Sequence, residues 1–151
     1  MRQKLRDRTR RLLQEERLAE YKKLFARVDK ILDGATSGPL WLGDKRIADL
    51  VQDALLNRYA GLYFLWAYVV MANHIHVFLR PKSHETSIST ITKNIKGYCS
   101  REANRLLKRT GQRFWQDESF DHWSRNPSEF ARIVKYIENN PVKAGLVREP
   151  E

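Results

Sequence analysis

The chain has 151 residues, 42% hydrophobic and 30% charged, which fits one domain with a modest single core and no long disordered stretch. Its 28 Lys and Arg outnumber 18 Asp and Glu, and the formal net charge of +10 favours a polyanionic partner, nucleic acid above all. Cys99, the only cysteine, excludes a disulfide framework and a thiolate zinc site and suits a reducing cytoplasm. The amino terminus, MRQKLRDRTRRLL, is too charged for a secretory signal, and Asn73, His74 and His76 interrupt the most apolar stretch, GLYFLWAYVVMANHIHVFL, where a bilayer span would need to be unbroken.

Residues 1–33 read as a basic helical segment of one 1–151 domain. Tyr21, Leu24, Phe25, Val28, Ile31 and Leu32 recur at helical spacing, with Gly34 as the stop. The Arg-rich part of that segment is a solvated face or a phosphate-contacting arm, and a solvated face is the commoner use of a charge run. After the turn-rich stretch GATSGPLWLG, Asp44 caps a helix running to about Leu56, with Ile47, Leu50, Val51, Ala54 and Leu55 on its apolar face. Tyr63–Val70 reads as a buried strand and 74–80 as its hairpin partner, joined tightly through Met71, Ala72 and Asn73. A helix from about Ser87 to Lys108 buries Ile88, Ile91, Ile95 and Tyr98. An irregular aromatic segment follows Gly111, with a short strand near Ser119–Trp123. Asn126 caps the last helix, with Pro127 first and Glu129 third, and Pro141 ends it. The predicted class is α+β, helices on a small, mainly antiparallel sheet.

Alternate residues of a strand share a face, so His74, His76 and Phe78 project to one side of the second strand and Ile75, Val77 and Leu79 to the other. Two neighbouring imidazoles can reach one divalent ion, although His-X-His is also a common pair of ordinary half-buried histidines. Magnesium also wants oxygen ligands, whereas manganese tolerates nitrogen and oxygen together. Tyr136 and Asn140 lie one helical turn apart, a phenol that can attack phosphorus beside an amide oxygen that can ligate a cation. By spacing alone the plainer reading wins clearly, with Tyr136 a partly buried aromatic and Asn140 a helix terminator before Pro141. Tyr98, with Glu102 four residues on, is a rival nucleophile, and composition does not choose between the tyrosines. Neither a phosphate-cradling Gly loop nor a Ser nucleophile elbow is present.

The order YVVMANHIHVFLRP, KNIKGYCSREANRLL, FWQDESFDHW, YIENNPVKAGLV, spread from about Leu40 to Val147, resembles the REP-associated tyrosine transposases. These form part of the single-tyrosine branch of the HUH nuclease superfamily, the IS200-like transposases. The resemblance implies a ferredoxin-like HUH nuclease fold, His74, His76 and Asn140 as ligands of magnesium or manganese, and Tyr136 rather than Tyr98 as nucleophile. It further implies nicking and rejoining of single-stranded, hairpin-forming DNA through a 5′-phosphotyrosine link, by a monomer or homodimer at the bacterial nucleoid. A non-catalytic, domesticated hairpin-binding descendant is the alternative. In that frame Arg113, His122 and Arg125 contact phosphates or bases, and Trp115 or Trp123 stacks on unpaired bases. Two features depart from the pattern. Ala72 stands where the usual motif has proline, and Met1 begins inside the basic helical segment, so either the start lies downstream of the usual one or an element of the expected sheet, its first strand, is missing.

Overall fold

The computed structural model describes residue 16 and residues 19–20, 23–28, 30–32, 34, 39–116 and 123–150. The chain divides into two compact units, Met1–Thr36 and Ser37–Glu151. In the first, residues 23–28 and 30–32 are helical, and the Gly34 N–H donates to the Lys30 carbonyl at 3.2 Å. Phe25, Val28 and Leu32 are half-buried there, Leu24 and Ile31 are exposed, and Tyr21 lies outside the described residues. The segment in which a first strand would be sought, residues 1–15, and most of the strand expected near Ser119–Trp123 also lie outside them.

The second unit is α+β. Its elements are α1 (Lys45–Asp53), β1 (Tyr63–Val70), β2 (Ile75–Pro81), α2 (Ile88–Leu106) and α3 (Pro127–Lys143), with β1 and β2 forming a two-stranded antiparallel sheet. Asp44 starts α1 as expected, its carboxylate accepting from the Arg46 N–H at 3.0 Å, and the adjacent Arg46 guanidinium holds that carboxyl below its ordinary pKa. The helix then loosens into a wider turn over Ala54–Arg58, closed by the Tyr59 N–H on the Ala54 carbonyl. Ile47, Val51, Ala54 and Leu55 are buried on its inner face, and Leu50 packs against them.

Ser87 caps α2 by accepting from the Thr90 N–H at 3.0 Å. Its buried stripe is Ile91, Ile95, Cys99 and Ala103, whereas Ile88 and Tyr98, expected in the core, are only half-buried because they flank that stripe. The helix ends at Leu106, earlier than expected. Lys108 takes the left-handed conformation (φ 54), and the Lys108 and Arg109 N–H groups bond back to Arg105 and Asn104. Burial pushes the Cys99 thiol up to about 12, so it is an inert apolar filler rather than a reactive group.

The hairpin is tight: the Met71 N–H donates to the His74 carbonyl at 2.9 Å across Ala72 and Asn73. A bulge interrupts the register between Leu65 and Ala67. Leu65 pairs with Leu79 and Tyr68 with Val77, so one residue beyond strict alternation is inserted at Trp66. Tyr63, Leu65, Tyr68 and Val70 consequently face the same core as Ile75, Val77 and Leu79. Trp66 lies on the other side with Phe64, where its ring meets Phe78 at 4.9 Å and Phe130 at 5.0 Å. The strand is therefore not the fully buried one expected: Phe64 and Trp66 are exposed.

The hairpin tip is pinned from outside the sheet. Trp41, in the single turn Trp41–Gly43, stacks on Phe114 at 5.3 Å and carries the Arg109 guanidinium at 3.7 Å from its ring centroid. The next residue donates its N–H to the Ala72 carbonyl, Leu42 to Ala72 at 3.1 Å. That bond braces the residue two before His74.

Asn126 accepts from the Glu129 N–H at 2.8 Å, and the Glu129 carboxylate accepts from the Arg125 N–H at 3.1 Å, a capping pair that starts α3. Pro141 does not end this helix, contrary to expectation; it continues to Lys143. The terminator is Gly145 (φ 70): its N–H reaches Val142, and the Leu146 N–H reaches Pro141 itself. Proline forfeits one helical hydrogen bond, which a chain braced by tertiary packing tolerates one turn before the true end. Asn140 is thus an interior helical residue.

Candidate functional site

The sheet separates two environments. α1 and α2 close over one face, and α3 lies against both strands. Phe130, in the first turn of α3, packs on Trp66 and Phe78, each at 5.0 Å between ring centroids. Two turns further on, the Tyr136 ring sits edge-on to the His76 ring at 5.7 Å. The His74 and His76 rings are themselves 4.8 Å apart, with their Nε2 atoms 3.1 Å from each other. The alternation of β2 and the period of α3 thus bring three of the expected residues together.

The fourth, Asn140, lies one turn beyond Tyr136. It is 0% exposed, and neither its amide oxygen nor its amide nitrogen has a hydrogen-bond partner among the described residues. An orphaned amide in a folded interior costs about 1–3 kcal/mol, so the position is unfavourable for stability as it stands. Asn104, the other buried orphan, is only half unsatisfied: its Nδ2 donates to the Gln112 carbonyl at 2.6 Å, leaving Oδ1.

Two residues near this cluster escaped the sequence reading. The Asn73 Oδ1 is 2.7 Å from His74 Nδ1. An amide oxygen only accepts, so this contact favours the tautomer with the imidazole proton on Nδ1. Lys143 holds its ammonium 4.5 Å from the Tyr136 ring centroid. Seven residues separate them, nearly two whole helical turns, so helical periodicity contained that signal.

The remaining expected residues that are described do not join the cluster. Tyr98 packs against the core on the α1 side, with the Arg58 guanidinium 4.1 Å from its ring centroid and Tyr59 at 6.2 Å, while Glu102 pairs with Arg105 at 2.6 Å. Trp115 is half-buried against the core and donates its indole N–H to the Lys96 carbonyl at 3.0 Å. Arg113 and Arg125 are exposed, the former donating from Nε to the Trp115 carbonyl at 3.0 Å. Trp123 is 71% exposed, and His122 lies outside the described residues.

This grouping of a histidine pair, His76 on β2 and His74 just before it, with a tyrosine and an amide on the facing helix coincides with a family match. The family model described as "Transposase IS200 like" matches residues 45–140, more than half of the chain, from the start of α1 to Asn140. The chain belongs to the IS200-like transposase family. No characterised protein and no solved structure matches it. Membership ties the chain to DNA transposition and makes DNA its partner. Among the described residues, no helix is long and apolar enough to cross a membrane, and no three His, Cys, Asp or Glu side chains are grouped to hold a metal ion.

Proposed function

We propose that this chain nicks and rejoins single-stranded, hairpin-forming DNA of the REP type, with Tyr136 as the nucleophile. The observation that carries the reading is the meeting of Tyr136 with His76 at 5.7 Å, beside a buried and unsatisfied Asn140 on the same helix. His74, His76 and Asn140 would hold a magnesium or manganese ion. Three features favour that fit. The Nε2 atoms are 3.1 Å apart, close to the roughly 3.0 Å between adjacent ligands of a six-coordinate ion with bonds of about 2.1 Å. The Asn73 Oδ1, 2.7 Å from His74 Nδ1, favours the tautomer that directs the Nε2 lone pair toward His76. The Asn140 oxygen supplies the hard donor that the imidazoles lack. When bound, such an ion polarises the scissile phosphodiester and offsets charge building on its oxygens.

The residues of the chain do the rest. The Tyr136 phenolic oxygen attacks phosphorus and gives up its proton, the bond to the 3′-oxygen breaks, and that oxygen leaves as a hydroxyl after taking up a proton. The 5′ side remains joined to Tyr136 as a phosphodiester, and attack by a 3′-hydroxyl reverses the step. Lys143 adds positive charge beside the ring that the polyanion must approach. Arg113, Arg125 and His122 contact the backbone or bases, and Trp115 supports that surface, with the more exposed Trp123 free to stack. Tyr136 and His76 meet within one chain, an arrangement that suits a monomer.

The test is a denaturing gel of labelled single-stranded hairpin DNA incubated with the protein and manganese. A protease-sensitive, slow-migrating adduct is expected, and Tyr136→Phe should reduce it below detection. An adduct that survives in Tyr136→Phe sinks the assignment. Tight hairpin binding without any adduct would instead support a non-catalytic DNA-binding descendant.

A further inference from the structure

The face of the sheet that carries the histidines does not end at Phe78. Arg80 is next on that side of β2, opposite Phe64 of β1, and Lys82 follows it. Phe64 is 45% exposed and Trp66 40% exposed, both large rings left open by the short α3 contact. Cations are laid over them. The Arg80 guanidinium is 5.1 Å from the Phe64 ring centroid and 5.9 Å from that of Trp66, and the Lys82 ammonium is 5.3 Å from Phe64. No ion pair to either cation occurs among the described residues; Lys82 donates one hydrogen bond, to the Ala60 carbonyl at 2.9 Å. The result is a row running from Lys82 through Phe64, Arg80 and Trp66 to Phe78 and then His76.

We propose that this row, Phe64, Trp66, Arg80 and Lys82, is a docking track for the unpaired DNA strand flanking the phosphodiester that reacts at Tyr136. The inference rests on the proposed strand-transfer reading for its direction, but binding on the track can be measured without any cleavage. Open rings interleaved with cations suit unpaired bases joined by phosphates, because bases stack on rings of any kind while the cations neutralise the backbone. A second copy of the chain fits less well. A symmetric contact through this face would set Arg80 and Lys82 against their own counterparts, like charge on like charge. The track is also collinear with the site. Four residues of β2 separate His76 from Arg80, about 13 Å, the rise of roughly four stacked nucleotides.

The bulge is what makes the track. Strict alternation along β1 would put Trp66 on the same face as Phe64, but without the extra residue Tyr68 and Val70 would also turn to that side and leave the core. The insertion lets one strand present two aromatics to solvent while its remaining length packs inward.

The test uses the full chain and a labelled oligothymidylate, in chelator so that no cleavage occurs, followed by fluorescence anisotropy. Phe64→Ala should weaken single-strand binding about tenfold, the loss of one stacked base, while Phe64→Tyr should restore it. Arg80→Gln should lower the slope of log affinity against log salt by about 0.7. Extending a hairpin's single-stranded flank from none to about four nucleotides should tighten binding to the wild type and leave Phe64→Ala indifferent. Thermal melting of each variant checks that the fold is intact, since all these side chains are open to solvent. Unchanged affinity, salt slope and flank dependence in folded variants would overturn the track. So would variants whose only change is in sedimentation, because the face would then join copies of the chain. The strand-transfer reading fails separately, through an adduct that persists in Tyr136→Phe, and that result leaves the binding measurement standing.

Discussion

The two faces of the hairpin sheet are built from neighbouring residues of the same two strands and obey opposite rules. Toward α1 and α2 the face is predominantly apolar: Ile47, Val51, Ile91, Ile95 and Cys99 interlock with Tyr63, and the Tyr63 hydroxyl donates to the Leu55 carbonyl at 2.7 Å. Toward α3 the same strands present two imidazoles, open aromatic rings and cations, and the helix adds an amide with no partner. One face is optimised for cohesion. The other tolerates arrangements that folding alone would disfavour, which is where stability is normally given up for chemistry.

Substitutions that treat the two faces alike should expose the difference. On the cohesive face, Ile91→Ala removes a fully buried side chain and should lower unfolding free energy by about 2–5 kcal/mol, read by chemical denaturation. On the histidine face, Asn140→Leu replaces an orphaned amide with an apolar group of similar size. It should raise stability by about 1 kcal/mol while removing adduct formation. A large loss of stability in Asn140→Leu would mean that the amide has a structural role and would erase the contrast.

A further expected effect is at alkaline pH and belongs to the cohesive face. Burial raises Tyr63 from its ordinary 10.0 to about 12 and Cys99 from 9.0 to about 12. For a raised pKa the stabilisation is complete below the unfolded value and is lost as pH climbs through the folded one. Stability should therefore decline from about pH 9 toward pH 12 as the unfolded chain ionises first. Tyr63→Phe should be less stable near neutrality by about 1 kcal/mol, for the missing hydrogen bond, yet show a shallower alkaline decline. An equally steep decline in that variant would remove Tyr63 as a source.

Much of this was legible in the chain itself. The apolar stripe of α1, the caps at Asp44, Ser87 and Asn126, the span of β1 and the two-sided alternation of β2 follow from periods of 3.6 and 2 and from side chains that satisfy helix-end N–H groups. Legibility failed where a competing interaction lay far away in sequence. Pro141 looked like a stop, but Gly145 terminates α3 because the packed helix bears the missing bond. Tyr98 looked like core and lies at its edge, one position from the true stripe at Cys99. Of the candidate site, the His-X-His pair and the Tyr136–Asn140 spacing were visible, whereas Asn73 and Lys143 acquired meaning only beside them.

By itself, then, the sequence determined the α+β class, the order of elements, which face of β2 carries the histidines and, through its ordered motifs, the family. The tertiary structure decided that α3 packs on that face rather than elsewhere, bringing Tyr136 to His76 and burying Asn140 without a hydrogen-bond partner among the described residues. It also decided that a bulge at Trp66 keeps Tyr68 and Val70 in the core while Phe64 and Trp66 stay on the outer face beside Arg80. The physical reason is range. Periodicity and capping act within a few residues and are written locally, while the docking of one amphipathic surface on another depends on shape matched across the whole unit.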